Sequence, residues 1–200
     1  MRSTVIVFVK APQAGRVKTR LGADVGMGRA AALFRIMTER TVGEAMKGPW
    51  RTVLAVDPPR AVAGFETLWP SRLVRTPQAR GDLGARMRHA FDIAPPGPVV
   101  IVGADAPGLR ARHLREAFAA LNGADALFGP AEDGGYWLIG LARRKAAPHL
   151  FNSVRWSTRH ALADTLKTLP PSFRIQYLER LRDIDDAADL SVMSSRATAR

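Results

Sequence analysis

Cysteine is absent from this 200-residue chain, which excludes disulfide bonds and thiolate metal sites. Its four histidines show no zinc-ligand spacing, and the G-x-S-x-G elbow of serine hydrolases is missing. Long apolar runs are also lacking, since none approaches the roughly 20 residues that span a bilayer. The N-terminus reaches a predicted strand at once and shows no signal-peptide pattern. We therefore expect a cytoplasmic protein with no membrane partner and no zinc.

Acidic residues are few, with 18 Asp and Glu against 30 Lys and Arg, and the net charge is +12. Such an excess of positive charge suggests a nucleic-acid partner. However, 25 of the basic residues are Arg and 5 are Lys, scattered without a continuous stripe, which fits a GC-rich coding sequence. We therefore expect no nucleic-acid partner, because a small polyanion such as a nucleotide accounts for the charge more economically. The sequence leaves the oligomeric state open.

Apolar segments with strand character alternate with segments of helical periodicity. Strands are predicted at 5–9, 52–56, 73–75, 99–102, 126–128, 137–141 and 175–178. Helices are predicted from a cap at Asp24 to about residue 47, from an N-cap at Asp82 with Leu83 on the apolar face, at 111–121 and at 158–169. The alternation indicates a three-layer α/β/α fold with a mostly parallel sheet. No linker or repeat interrupts the chain, so we expect one domain over residues 1–200, with a core at about 4–190.

The first predicted strand leads into a strongly basic loop. Lys10, Arg16, Lys18 and Arg20 supply four cations, and Gly15 lets the backbone turn and approach a ligand closely. Ligands of open parallel sheets bind beyond the carboxyl ends of the strands, where this loop lies. Cations in that place would bind successive phosphates. The loop is neither a Walker loop nor a Rossmann fingerprint, and a solvated charged turn is the alternative interpretation.

Carboxylates mark two other segments that we expect at strand ends. Asp105 comes directly after the strand at 99–102, where it would either hold a hard cation or cap the next helix. Asp183 and Asp185 would point to one side of an extended segment, which suits a divalent ion. An acidic turn that caps the last helix is the alternative for this pair.

A short segment rich in glycine and acid separates the strands at 126–128 and 137–141. It contains Glu132, Asp133, Gly134 and Gly135. Paired glycines in this position fit an ordinary hairpin turn. They fit equally well a nest of backbone N–H groups that receives an anionic acceptor.

Together, these segments resemble a known family of transferases. They are K-A-P-Q-A-G-R-V-K-T-R-L, R-G-D-L-G-A-R-M, G-A-D-A-P-G-L, G-P-A-E-D-G-G-Y-W-L-I-G-L, W-S-T and D-I-D-D-A-A-D-L, in that order. The set is similar to the GT-A-like family labelled radical-SAM/selenodomain-associated. That family is related to the 2-phospho-L-lactate guanylyltransferases and, more distantly, to molybdenum-cofactor guanylyltransferases. The resemblance covers about residues 4–190 and implies the nucleotide-diphospho-sugar transferase (GT-A-like) fold.

The resemblance also implies roles for individual residues around a nucleoside triphosphate. By similarity, the loop with Lys10, Gly15, Arg16, Lys18 and Arg20 would wrap the phosphates, and Gly81, Asp82 and Gly84 would lie near the base and ribose. Asp105, Asp183 and Asp185 would hold Mg²⁺ or Mn²⁺, and Asp133, Gly134, Gly135 and Ser157 would receive the acceptor. Tyr136 and Trp137 replace the small polar pair of the guanylyltransferases, which argues against a phospho-lactate acceptor.

We therefore expect a Mg²⁺-dependent nucleotidyltransferase. It would move a nucleoside monophosphate from a nucleoside triphosphate, GTP by preference, to a small anionic or hydroxyl acceptor. Arg16, Lys18, Arg20 and Asp105 would carry the catalysis, with the cations neutralising the leaving pyrophosphate. Two alternatives stay open on the same fold. One is a glycosyltransferase with a nucleotide-diphospho-sugar donor, and the other is a non-catalytic ligand-binding or partner-docking protein.

Overall fold

The computed structural model of the protein describes residues 2–63, 69–106 and 108–181. These residues form seven strands and five α-helices, and a 3₁₀ turn follows the second strand. The strands are β1 (Thr4–Lys10), β2 (Arg51–Asp57), β3 (Val74–Pro77), β4 (Val99–Gly103), β5 (Ala126–Pro130), β6 (Tyr136–Leu141) and β7 (Ile175–Tyr177). The helices are α1 (Thr19–Val25), α2 (Met27–Ala45), α3 (Leu83–Ile93), α4 (Ala111–Ala120) and α5 (Ala161–Lys167), and the 3₁₀ turn is Pro59–Val62.

The strands form one sheet in the order β3-β2-β1-β4-β6-β5-β7. Neighbouring strands are parallel except where β6 runs against β4 and β5. Six of the seven strands therefore point the same way and end at one edge of the sheet. The reversal of β6 follows from the short link 131–135, because a parallel crossover needs a dozen residues or more. This architecture confirms the predicted mostly parallel α/β sheet.

Two hydrophobic cores lie on opposite faces of the sheet. Side chains of a strand alternate between faces, so Val5 and Val7 pack with α2 and α4, whereas Ile6 packs with α3. Leu162 and Leu166 of α5 border the second core. The three layers predicted from the sequence are therefore present. Among the described helices, none is both long and apolar enough to cross a membrane.

The first helical region differs from the prediction that Asp24 caps it. Asp24 lies inside α1, which begins at Thr19. Gly26, with φ of 90°, separates α1 from α2, because this left-handed conformation interrupts the helix and is accessible to glycine at little cost. One predicted helix is therefore two.

At the start of α3, the predicted N-cap is confirmed, but one residue predicted to be buried is exposed. Asp82 is the N-cap, and its Oδ1 accepts a hydrogen bond of 2.8 Å from the Ala85 N–H. Leu83 was placed on the buried face but is 38% exposed, and Gly84 is buried instead. Packing around Gly84 therefore determines which side of the first turn of α3 faces the core.

Candidate active site

The candidate site lies where the carboxyl ends of the parallel strands β1, β2 and β4 meet. Lys10, the last residue of β1, is in register with Asp57 of β2, and Phe8 is in register with Gly103 of β4. The chain leaves each strand at this edge, which is where open α/β sheets bind ligands. The basic loop, Asp57 and the segment that begins at Ala104 therefore share one rim of the sheet.

The basic loop turns one of its cations inward and leaves the others in solvent. Gly15 and Lys18 have left-handed backbones, with φ of 74° and 45°. Val17 between them is buried in a small cluster with α2, which fixes the loop to the helix. Only 7% of the Lys18 side chain is exposed, whereas Lys10, Arg16 and Arg20 are exposed residues.

The inward lysine meets the carboxylate that follows β4. Lys18 Nζ lies 2.9 Å from Asp105 Oδ2, and the Asp105 side chain is 44% exposed. The two predicted segments, 87 positions apart in the chain, therefore come together in one ion pair. Asp105 does not cap α4, whose N-cap is Arg110. The alternative interpretation of Asp105 as a helix cap is therefore wrong.

The predicted metal ligands are described only in part. Asp105 is described, whereas Asp183 and Asp185 lie outside the described residues. Across 2–63, 69–106 and 108–181, no three His, Asp or Glu side chains are grouped as metal ligands. Asp105 nevertheless fits one ligand position, because its partly exposed carboxylate is a hard oxygen donor and already faces a cation, the Lys18 ammonium.

The segment that precedes α3 contains the glycines predicted to lie near a nucleotide base. Gly81 has φ of 108°, a conformation that favours glycine. Gly84 is packed instead against aromatic residues. A Cβ at Gly84 would lie 2.7 Å from Trp156 Cζ2 and 2.8 Å from Phe151 Cβ. Packing alone therefore accounts for a glycine at position 84.

Gln78 is a residue of this rim that the sequence analysis missed. Its buried amide donates hydrogen bonds to the carbonyls of Ala55 (2.9 Å) and Val9 (3.3 Å), joining β2 to β1. Arg86 donates to Gln78 Oε1 at 3.3 Å and lies 3.8 Å from Asp57 Oδ2. A single glutamine after a short strand carries no sequence signal, so its role became visible only from the contacts.

The glycine pair at the β5–β6 connection forms a closed hairpin turn. The Gly135 N–H donates to Asp133 Oδ1 at 2.8 Å, and the Gly134 N–H points to the Ala131 carbonyl at 3.4 Å. Gly134 has φ of 86° and rests directly on the backbone of Arg159, where a Cβ would collide. A ligand that bound these two N–H groups would have to replace the contacts made within the turn.

Tyr136 and Trp137, which depart from the guanylyltransferase pattern, are packing residues here. The Tyr136 hydroxyl is hydrogen-bonded with Thr165 Oγ1 at 3.3 Å, and burial raises the pKa of this hydroxyl. Trp137 is buried against His113 and donates to the Glu179 carbonyl at 3.3 Å. Both side chains therefore stabilise the hairpin and its neighbours.

A strained segment leads to Ser157, the fourth predicted acceptor residue. Phe151, Ser153 and Ser157 all have positive φ, between 57° and 71°, which costs a non-glycine residue about 1–2 kcal/mol. Arg155 fixes the segment through bonds of 2.7 and 2.9 Å to both oxygens of Asp164. The hydrogen bond from Arg155 is the main cause that holds the pKa of the Asp164 carboxyl far below its usual range.

This segment joins two parts of the rim. Trp156 packs on Gly84 at the start of α3, and the backbone of Arg159 packs on Gly134 in the hairpin turn. Ser157 lies between these two contacts and is exposed. Strain of this kind concentrates at functional sites, so the segment belongs to the candidate site.

Comparison with solved structures identifies the fold. A candidate nucleotide-diphospho-sugar transferase from Desulfovibrio desulfuricans G20 is 29% identical, with a TM-score of 0.84 over 96% of this chain and 87% of that one. The 4-diphosphocytidyl-2C-methyl-D-erythritol synthase of Anaerococcus prevotii DSM 20548 is 8% identical, with a TM-score of 0.63 over 100% and 99%. Rv0371c of Mycobacterium tuberculosis H37Rv, in complex with manganese, is 15% identical, with a TM-score of 0.55 over 96% and 98%. The fold of this protein is therefore that of the nucleotide-diphospho-sugar transferases.

A family model identifies the group within that class. Residues 41–158 match the family described as "uncharacterized protein conserved in bacteria (DUF2064)". This match spans more than half of the chain, and the protein belongs to that family. No curated protein matches the sequence.

Proposed function

We propose that the protein is a metal-dependent nucleotidyltransferase that binds a nucleoside triphosphate at the ends of β1 and β4. The observation that supports this most directly is the Lys18–Asp105 pair. It brings a cation suited to phosphate and a carboxylate suited to a metal ion to one point of the rim. Of the structural neighbours, one is named a 4-diphosphocytidyl-2C-methyl-D-erythritol synthase and another is a complex with manganese.

In this reaction an oxygen of the acceptor attacks the α-phosphorus of the triphosphate, and pyrophosphate leaves. Lys18 would bind the phosphates from inside the loop, while Arg16 and Arg20 would neutralise the leaving pyrophosphate from the solvent side. An acceptor that is already an ionised phosphate needs no general base. These chain residues therefore bind and orient the triphosphate and stabilise charge on the departing group.

A divalent ion, Mg²⁺ or Mn²⁺, would supply Lewis-acid polarisation of the α-phosphate when bound. Asp105 would be one ligand, and Asp183 and Asp185 would be the others. The position of Leu181, two residues before Asp183, supports this set of ligands. A Cβ added to Gly108 would lie 3.2 Å from the Leu181 side chain, so the two residues are neighbours. Gly108 follows Asp105 by three residues, so the chain that leads to the acidic pair passes this rim.

We propose guanine as the preferred base of the triphosphate and a small anionic or hydroxyl compound as the acceptor. The base assignment rests on the resemblance to the guanylyltransferases. The acceptor would be received beside Ser157 and the hairpin turn at 133–135, with Gly81, Asp82 and Gly84 near the base. Because Gly84 packs on Trp156, we propose that its contribution to base binding is indirect, through the placement of α3.

A glycosyltransferase that uses a nucleotide-diphospho-sugar is the second candidate function. It is favoured by the neighbour of highest TM-score named here, which carries that name at 29% identity. The donor distinguishes the two reactions. A triphosphate releases pyrophosphate, whereas a diphospho-sugar releases a nucleoside diphosphate.

Thermal unfolding with nucleotides at about 1 mM, with and without Mg²⁺, tests this proposal. A ligand present at about 100 times its Kd stabilises the native state by about 2.7 kcal/mol. At about 2–4 °C per kcal/mol for a chain of this size, Tm should rise by about 5–11 °C. We expect the largest rise with GTP and Mg²⁺, compared with CTP, ATP, UTP and diphospho-sugars, and a smaller one in Asp105→Asn.

Three results would change the assignment. Stabilisation by diphospho-sugars alone would support the glycosyltransferase. Stabilisation by a triphosphate other than GTP would keep the reaction and replace the base. No shift with any of these compounds would refute the nucleotidyltransferase and support a non-catalytic role.

A further inference from the structure

Lys18 has a fixed backbone position and a side chain that is largely shielded from solvent. Its backbone is left-handed, its neighbour Val17 is buried against α2, and little of its side chain reaches solvent. Its ammonium lies 2.9 Å from Asp105 Oδ2. The protein therefore carries a cation of its own at the carboxylate that we assign to the metal.

We propose that Lys18 is the internal counter-ion of Asp105 and that a divalent cation exchanges with it. When the divalent ion binds Asp105, the ammonium leaves the carboxylate and binds a phosphate of the nucleotide. This inference rests on the proposed function for the identity of both ligands. It adds that the two ligands are coupled through one ion pair.

The exchange follows from the charges and burial at this point. Two cations at one carboxylate repel each other, so a divalent ion competes with Lys18. Asp105 is 44% exposed, which gives the ion access from solvent, whereas the Lys18 side chain is 7% exposed. An ammonium that loses this ion pair in so shielded a place gains little hydration in return. The ion pair therefore opposes metal binding until a phosphate replaces the carboxylate as partner.

The two side chains differ in length and in their attachment to the sheet in the way that this exchange requires. Asp105 follows the central strand β4, and the preceding Ala104 N–H donates to the Phe8 carbonyl of β1 at 3.1 Å. Lysine carries a compact charge on a flexible four-carbon stem with three donors. The carboxylate therefore stays in place while the ammonium moves. A metal ion at Asp105 would free the ammonium for a phosphate, so metal and triphosphate should each raise the affinity for the other by the same factor.

Titration of the full-length protein with Mn²⁺ alone tests the exchange, with free Mn²⁺ measured by electron paramagnetic resonance. The variants are Lys18→Gln, Lys18→Met, Lys18→Arg and Arg20→Gln. We expect Lys18→Gln and Lys18→Met to bind Mn²⁺ about tenfold more tightly than wild type, equivalent to about 1.4 kcal/mol. Lys18→Arg keeps a cation and should bind like wild type. Arg20→Gln is the matched control, because it removes the same charge from an exposed position after the same loop.

Asp105→Asn should abolish this binding, both alone and combined with Lys18→Gln. The proposal is overturned if Lys18→Gln binds Mn²⁺ no more tightly than Arg20→Gln. It is also overturned if the gain persists in the double variant, or if wild type and Lys18→Gln both fail to bind Mn²⁺. Circular dichroism confirms that each variant is folded, and Lys18→Met decides the case if Lys18→Gln is not.

These outcomes are separable from those for the proposed function. A triphosphate that raises Tm in wild type, together with equal Mn²⁺ affinities in Lys18→Gln and Arg20→Gln, would refute the exchange and retain the nucleotidyltransferase. Tighter Mn²⁺ binding by Lys18→Gln, together with no rise in Tm from any nucleotide, would retain the competition between Lys18 and the metal ion. It would refute nucleotidyl transfer.

Discussion

Replacement of Gly84 by alanine separates packing from ligand binding at the start of α3. The added Cβ would lie 2.7 Å from Trp156 Cζ2 and 2.8 Å from Phe151 Cβ, closer than carbon atoms pack in protein interiors. Neither neighbour can withdraw freely. Phe151 is buried against Phe91, and Trp156 adjoins the same core. The clash must therefore shift α3 or the segment at 151–157.

The size of the effect can be worked out from two opposing contributions. Overpacking of a core costs about 1–3 kcal/mol, while alanine in a helix gains about 0.5–1 kcal/mol over glycine. We expect Gly84→Ala to lose about 1 kcal/mol of unfolding free energy, which is the difference between the midpoints of those ranges. This corresponds to a fall in Tm of about 2–4 °C.

Urea unfolding followed by circular dichroism measures the loss, and Gly43→Ala is the matched control. Gly43 is an exposed glycine of α2 with no atom within 4 Å of an added Cβ, so it should gain about 0.5–1 kcal/mol. Trp156→Phe in the Gly84→Ala background should relieve part of the loss, because it removes the clashing Cζ2. Undiminished stability in Gly84→Ala would refute the packing explanation. If nucleotide stabilisation were then lost, Gly84 would serve the ligand directly.

Two further predictions concern buried polar groups. Gln78→Ala should cost about 1–3 kcal/mol, since it leaves the carbonyls of Val9 and Ala55 without their side-chain donor; an unchanged urea midpoint would show that these bonds are dispensable. Asp125 has a pKa lowered to about 2, chiefly by the hydrogen bond from the Arg174 backbone N–H. Its stabilising contribution is complete above the ordinary carboxyl pKa of about 3.9 and is lost as pH falls toward 2. The urea midpoint of wild type should therefore drop more between pH 5 and pH 2.5 than that of Asp125→Asn, and parallel profiles would contradict this.

The sequence pattern predicts the strands well because each is a local feature. Continuous apolar runs such as 99–102 are typical of strands buried on both faces, and all seven occur close to their predicted places. The helix cap at Asp82 was likewise readable from a few neighbouring residues. Local chemistry also explains why one predicted helix is two, since Gly26, with φ of 90°, is itself a signal that ends α1.

The candidate site was less accessible from the sequence because it depends on contacts between distant segments. Both Lys18 and Asp105 were predicted as site residues, but no spacing rule indicates that their side chains form an ion pair. Gln78 carries no local signal for the same reason, as its partners Ala55 and Val9 lie 23 and 69 positions earlier in the chain. The buried face of α3 differs from the prediction at Leu83 because Trp156, 73 positions later, packs against Gly84 instead.

Six strands end at the rim that carries the candidate site. The opposite rim of the sheet is therefore a suitable place for a reporter group. The turn 95–98 enters β4 at that rim, and Pro96 within it is exposed. Since the chain has no cysteine, Pro96→Cys would introduce a single thiol that maleimide dyes label uniquely. A fluorophore there would lie at the end of β4 opposite to Asp105, so it would report association without occupying the rim where the ligands are proposed to bind.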